Sequence, residues 1–222
     1  MKNFLYQLIG IIILIVLLFS FFISKKKEIP NVEIYEAENP NKSTFLNITK
    51  KSTPTIFTKT TEPFFNIQEY TLQDIEELPE KDKKQLHENI QEHLSYYKDE
   101  TQKSTTKTQG EIQMISTPLQ KVTNDTYLIT IFKGVKKILL FTPNQTNLLY
   151  PSKSNKNKSD VNFFVDGFEK YPLLAQTKFV EIELYPGHML YIPKGWWWTG
   201  MPMENCLLSY TKIDNSFFNL KL

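Results

Sequence analysis

The rhythm of hydrophobic and polar positions changes twice along the chain. From Phe4 to Ile23 the residues are apolar almost without a break, Gln7 and Ser20 being the only clearly polar members. About 20 residues in a helix rise ~30 Å, the thickness of a bilayer's hydrocarbon core, and a helix is the one single segment that satisfies its own backbone there. The pattern therefore predicts a transmembrane anchor over 1–24. A cleaved signal peptide has a shorter apolar core, about 7–15 residues, ending in small side chains. Here the run ends Phe21-Phe22-Ile23-Ser24 and meets Lys25-Lys26-Lys27. The polar stretch 25–43, with Pro30 and Pro40, reads as a stalk.

Past the stalk the pattern becomes that of a single domain, 44–222. Pro54 and Pro63 punctuate two short β-like pieces, Thr55–Thr58 and Phe64–Tyr70. From about Glu80 to Tyr97 the apolar residues Leu86, Ile90 and Leu94 recur at i, i+4 and i+8, which predicts an amphipathic helix. Thr101 to Gly110 is rich in Lys, Thr and Gln and reads as a loop. Thr126–Lys133 and Lys136–Thr142 are dense in Ile, Leu, Phe and Thr around Gly134, two strands joined by a tight turn. Asn144 to Asn162 is a polar connection. Phe179–Leu184 and Met189–Ile192 flank the turn Pro186-Gly187, and Cys206–Thr211 is a last strand. Short strands parted by Pro and Gly predict a mainly β domain, a sandwich or barrel with one outer helix.

Composition narrows the partners. The chain has 26 basic residues, all of them lysine, against 24 acidic ones. Without arginine there is no bidentate guanidinium contact to phosphate or guanine, and nucleic acid is excluded as a partner. The wealth of Lys, Asn, Ile and Phe suggests an AT-rich coding genome, such as that of a large DNA virus or a protist. Lys2 is the one side-chain charge before the apolar run and three lysines follow it, which puts the domain on the cytoplasmic side of a single-pass anchor. Five Asn-x-Ser/Thr sequons, at Asn41, Asn47, Asn124, Asn144 and Asn157, point the other way and arise easily in such a composition. The lone Cys206 leaves no internal disulfide.

Several motifs then fall in a recognisable order. They are Gly134-Val135-Lys136, Leu148-Leu149-Tyr150-Pro151, Ser159-Asp160-Val161-Asn162 and Lys170-Tyr171-Pro172. The last is Pro186-Gly187-His188-Met189-Leu190-Tyr191-Ile192-Pro193-Lys194-Gly195-Trp196-Trp197-Trp198. As a set, over about Thr117 to Thr211, they resemble the JmjC/cupin-like family, the double-stranded β-helix oxygenases that include asparaginyl hydroxylases and lysine demethylases. Phe45 to Phe57 also resembles the family's opening segment. The resemblance implies a jelly-roll barrel holding ferrous iron on two His and one carboxylate, with 2-oxoglutarate beside it.

In the family the first ligand pair, His-x-Asp, precedes the glycine matching Gly134 by a little over ten residues, and counting back reaches Lys121-Val122-Thr123. The last ligand is the His after Trp-Trp, here Trp198. A lysine ammonium repels Fe²⁺, Thr is a poor ligand, and an indole N–H only donates. The chain holds only three histidines, His87, His93 and His188, the first two on the expected helix. Lys121, Thr123 and Trp198 are thus degenerate metal positions, and neither a metal nor a catalytic residue is expected. His188 reads as a turn residue before a strand, and Asp125 with it makes a weak site. Lys136 matches the lysine that pairs the far carboxylate of 2-oxoglutarate, and Thr117 the hydroxyl beside it. Tyr127 replaces an Asn common in the hydroxylase branch. Alternation along a strand turns Trp197 away from Trp196 and Trp198, so Trp198 fills the volume of the lost metal.

Three functions follow as expectations. The first is a membrane-anchored, catalytically inactive JmjC-like domain, structural or protein-binding, in a virion membrane if the source is viral. Its partners are a lipid bilayer at residues 4–23 and other proteins, with no cofactor. The second is a divergent Fe(II)/2-oxoglutarate oxygenase, supported by Lys136. The third is a non-catalytic peptide-binding module that keeps the substrate groove.

Overall fold

The computed structural model describes residues 33–60 and 104–215, together with 77, 79, 81, 82, 84, 85 and 88. The expected anchor over 1–24, the piece Phe64–Tyr70 and the apolar stripe Leu86, Ile90, Leu94 lie outside the described residues. Lys81, Asp82, Lys84, Gln85 and Glu88, within the expected helix, are helical. No helix among the described residues is long and apolar enough to cross a membrane.

Strand runs rich in Ile, Leu and Val each put alternate side chains on opposite faces, and here both faces are covered. Eight strands make the barrel: β3 (Ser104–Gln113), β4 (Thr117–Lys121), β5 (Thr126–Lys133), β6 (Lys136–Phe141), β7 (Val180–Leu184), β8 (Met189–Pro193), β9 (Trp197–Pro202) and β10 (Cys206–Asn215). They form two antiparallel sheets, β8-β5-β10-β3 and β4-β9-β6-β7, the order of a jelly roll. β2 (Thr55–Thr58) adds to β8, and β1 (Tyr35–Glu38) pairs parallel with β2. Between the sheets lies the lumen cluster: Tyr127, Ile129 and Ile131 of β5, Ile138 and Leu140 of β6, Ile182 and Leu184 of β7, Leu190 and Ile192 of β8, Trp198 of β9, and Leu208 and Tyr210 of β10. Opposite parity feeds two outer clusters. Leu128, Phe132, Met189 and Tyr191 pack with Phe45 and Phe57 on one side. On the other, Leu119, Leu139, Phe141 and Trp197 lie beneath Leu149 and Val161 of the polar connection and Leu174 beyond it.

Gly134 turns β5 into β6 at φ +80°, and a Cβ there would stand 2.4 Å from Asn205 O, so no other residue fits. Three expectations need correction. The expected loop Thr101 to Gly110 is strand from Ser104 onward, because Ser104–Gln113 pairs along its whole length with β10. β3 ends its sheet, and polar, lysine-bearing sequences suit such an edge. The expected stalk is partly folded: β1 lies within it, and the outer helix α1 (Lys42–Thr49) starts inside it. Asn41 caps α1, its Oδ1 accepting from the Thr44 amide at 2.9 Å. Among the described residues the helix packed against the barrel is α1, through the buried Phe45, rather than the later segment. The last strand also runs on to Asn215.

Candidate functional site

Strand pairing decides which positions of β4 face the lumen. Gln120 stands opposite Trp198, and Lys121 opposite Trp197. Directly opposed residues share a face. Trp198 is fully buried in the lumen cluster, whereas Trp197 belongs to the outer one, so the lumen side of β4 carries Gln120 and, two residues on, Val122. Val122 is indeed buried in the same cluster as Trp198. Lys121 lies on the Trp197 side and Thr123 is exposed. The positions facing Trp198 are therefore Gln120 and Val122, not Lys121 and Thr123. Strand side chains repeat every two residues, so a count from Gly134 that is wrong by one inverts every assignment on β4. A bulge between Thr117 and Gln120 lets these two, an odd number of residues apart, both turn inward.

The residues present do not fit a ferrous centre. Gln120 offers a neutral amide, Val122 an alkyl group and Trp198 an indole that only donates, where two imidazoles and a carboxylate are needed. No three His, Cys, Asp or Glu cluster among the described residues. Asp125 is engaged by Lys194 at 2.8 Å. His188 closes the β7–β8 turn, its amide donating to Tyr185 O at 2.9 Å, and burial holds its imidazole below the usual pKa while Glu36 opposes. The lumen volume is taken by aromatic rings. Trp198 lies 5.6 Å from Tyr127 and 5.8 Å from Tyr210, and the two tyrosines are 6.2 Å apart. As expected for alternating side chains, Trp197 points the other way, its Nε1 donating to Thr146 Oγ1 at 2.9 Å.

Beside this aromatic trio the structure joins the two residues expected at a carboxylate site. Lys136 has the parity of Ile138 and Leu140 and is completely buried, while its neighbour Lys137 turns out to Glu181 at 2.7 Å. Lys136 Nζ donates to Thr117 Oγ1 at 3.1 Å, to Tyr210 OH at 3.2 Å and to Gln113 Oε1. Gln113 Nε2 donates to Thr117 Oγ1 at 2.9 Å, and Tyr210 OH donates to Gln113 Oε1 at 3.2 Å. The Lys136 stem passes over Gly200, where a Cβ would lie 2.8 Å from Lys136 Cε and 2.7 Å from Ile138 Cδ1. Thr199 Oγ1 donates to Thr117 O at 2.6 Å and pins β4 to β9. Gln113, Tyr210 and Gly200 were not foreseen. Gln113 ends a strand whose polar sequence reads as a loop, and nothing along the sequence ties Tyr210 or Gly200 to Lys136.

Outside this network a cleft of about 410 Å³ opens at the barrel mouth. Gln113, Thr117, Gln120, Tyr127, Tyr210 and Lys212 form its polar wall, and Met114 and Ile115 its exposed lip. Lys212 Nζ sits over the Tyr127 ring at 5.8 Å.

Comparison with known proteins agrees with strand order and motif. Residues 123–200 match the cupin-like domain family. This match and the relatives that follow support a JmjC/cupin-like family for the domain. The chain is 39% identical over 66 residues to Jumonji C domain-containing protein 5 of Drosophila melanogaster, covering 29% of this chain and 16% of that protein. It is 36% identical over 84 residues to JmjC domain-containing protein D of Dictyostelium discoideum, covering 36% and 18%. It is 36% identical over 72 residues to tRNA wybutosine-synthesizing protein 5 of Gallus gallus, covering 32% and 22%. The chain thus spans about a fifth of the length of these relatives. The matched residues 123–200 run through the barrel strands from β5 to β9.

Proposed function

We propose that this JmjC-like domain is non-catalytic and serves as a structural or protein-interaction module, held at a membrane by residues 4–23. The observation that carries the reading is the trio Gln120, Val122 and Trp198 turned to the lumen. None of the three is a serviceable ligand for Fe²⁺, and a 2-oxo acid that chelates iron loses most of its hold without it. Retained Lys136 and Thr117 support the competing oxygenase reading only weakly, since Gln113 and Tyr210 already engage the lysine. The test uses the full chain in detergent with Fe²⁺ or Mn²⁺ and 2-oxoglutarate, followed by calorimetry and elemental analysis. No stoichiometric metal and no saturable 2-oxoglutarate heat is the expected result. One metal per chain with cosubstrate binding would overturn it in favour of a divergent oxygenase.

The mouth cleft favours a second reading, a module that binds a peptide without altering it. Tyr127 and Tyr210 give it aromatic walls, and the exposed Met114 and Ile115 give it an apolar lip. A peptide-array screen whose binding disappears in Tyr127→Ala would select this reading over a purely structural role.

A further inference from the structure

A lysine ammonium has three donors, and those of Lys136 reach three neutral acceptors: Gln113 Oε1, Thr117 Oγ1 and Tyr210 OH. The Gln113 carboxamide does more than fill space. Its oxygen accepts from both Lys136 and Tyr210, and its nitrogen donates to Thr117. That fixes the orientation of the amide, because the reverse would set an NH₂ against an ammonium. Gln113 also stands between the mouth cleft and the lysine. Gln113, Thr117 and Tyr210 line the cleft, while Lys136 lies behind them, fully buried.

We propose that Gln113 is a built-in ligand of Lys136, a carboxamide that occupies a carboxylate-sized cradle and closes it to anions from the cleft. The proposal deepens the non-catalytic reading and rests on it. It makes the cradle a latent site for a small monocarboxylate, exposed when the Gln113 side chain is removed. The same residue explains how a chain can keep Lys136 and Thr117 without a cosubstrate: the lysine is supplied with an acceptor by its own chain.

The experiment compares thermal unfolding of the wild-type full chain, Gln113→Ala and Gln113→Glu, with acetate added at constant ionic strength. Gln113→Ala is expected to unfold about 3–10 °C lower and to regain much of that in tens of millimolar acetate, whereas the wild type is indifferent to acetate. Gln113→Glu keeps the volume and sets a carboxylate against the ammonium. Its glutamate then ionises more readily folded than unfolded, so the variant gains stability at neutral pH and loses the gain as pH falls below about 4. An unchanged midpoint in Gln113→Ala, a lowered midpoint that acetate does not raise, or a Gln113→Glu chain less stable than wild type at pH 7 would each overturn the proposal. Stoichiometric metal and 2-oxoglutarate binding by the wild type would instead sink the non-catalytic reading, so the two failures are distinguishable.

Discussion

At the scale of single residues, the lumen of this domain makes a buried lysine tolerable by shape and by hydrogen bonding together. The stem needs the missing side chain of Gly200. Gly200→Ala sets a methyl 2.8 Å from Lys136 Cε and 2.7 Å from Ile138 Cδ1, and is expected to cost about 1–3 kcal/mol by urea denaturation. The head group needs its acceptors more than the barrel needs the charge. Lys136→Met keeps the stem's length and leaves Gln113 Oε1 bonded to Tyr210, so its cost should stay within about 1–2 kcal/mol, whereas Lys136→Ala leaves a cavity worth about 2–5 kcal/mol. A Met variant as unstable as the Ala variant would show that the ammonium itself holds the barrel together. His188 gives the domain an acid sensitivity of its own. Burial lowers its folded pKa below the ordinary 6.5, so the unfolded chain binds the proton first. Stability is then complete above about pH 6.5 and declines as pH falls through that value, levelling off below the folded pKa. His188→Asn should flatten this part of the pH profile, and an unaltered slope would assign the sensitivity elsewhere.

At the scale of elements, the barrel was legible wherever strands were apolar and opaque wherever they were not. β5 could be read residue for residue because Thr126–Lys133 is dense in Ile, Leu and Phe, and Gly134 marks its end. β3 could not, since an edge strand draws its place from backbone pairing with β10 and needs no apolar side chains to announce it. β1 was hidden in the same way, as four mostly exposed residues joined to the domain through pairing with β2. The site suffered at one point, the register of β4, because a strand's parity cannot be counted across a connection from Gly134. The register can be tested by restoring a metal site. Gln120→His, Val122→Asp and Trp198→His together should bind about one Co²⁺ per chain, because all three face the lumen. Lys121→His, Thr123→Asp and Trp198→His should bind none, since two of those positions face elsewhere. Metal in the second variant and not the first would reinstate the sequence count. α1 offers a simpler check. Tyr191 OH of β8 donates to Thr49 O at 2.7 Å, and burial pushes this phenol up to about 12. Tyr191→Phe should cost about 1 kcal/mol and loosen the helix's end, measurable as faster amide exchange at Lys50 and Lys51.

At the scale of the whole molecule, the proposed anchor raises two questions: whether the chain is held at a membrane, and which side the domain would then face. The reading from sequence rests on three lysines after the apolar run against one before it. The structure supplies a better reporter than the sequons taken together. Asn124 is committed, its Nδ2 donating to Asp214 at 2.7 Å, and Asn41 caps α1. Asn157 is different. It is exposed, in the polar connection between β6 and β7, and Lys158 and Ser159 complete its sequon. A domain that passes through a glycosylating compartment would present this asparagine, whereas a cytoplasmic one would not. Expressed as the full chain in a eukaryotic cell, the protein is therefore expected to resist extraction by alkaline carbonate and to keep its gel mobility under glycosidase. Removing residues 1–24 should release it from the membrane without altering that mobility. A glycan lost in Asn157→Gln would place the domain on the opposite face, where any partner of the mouth cleft would have to be sought among lumenal or extracellular proteins.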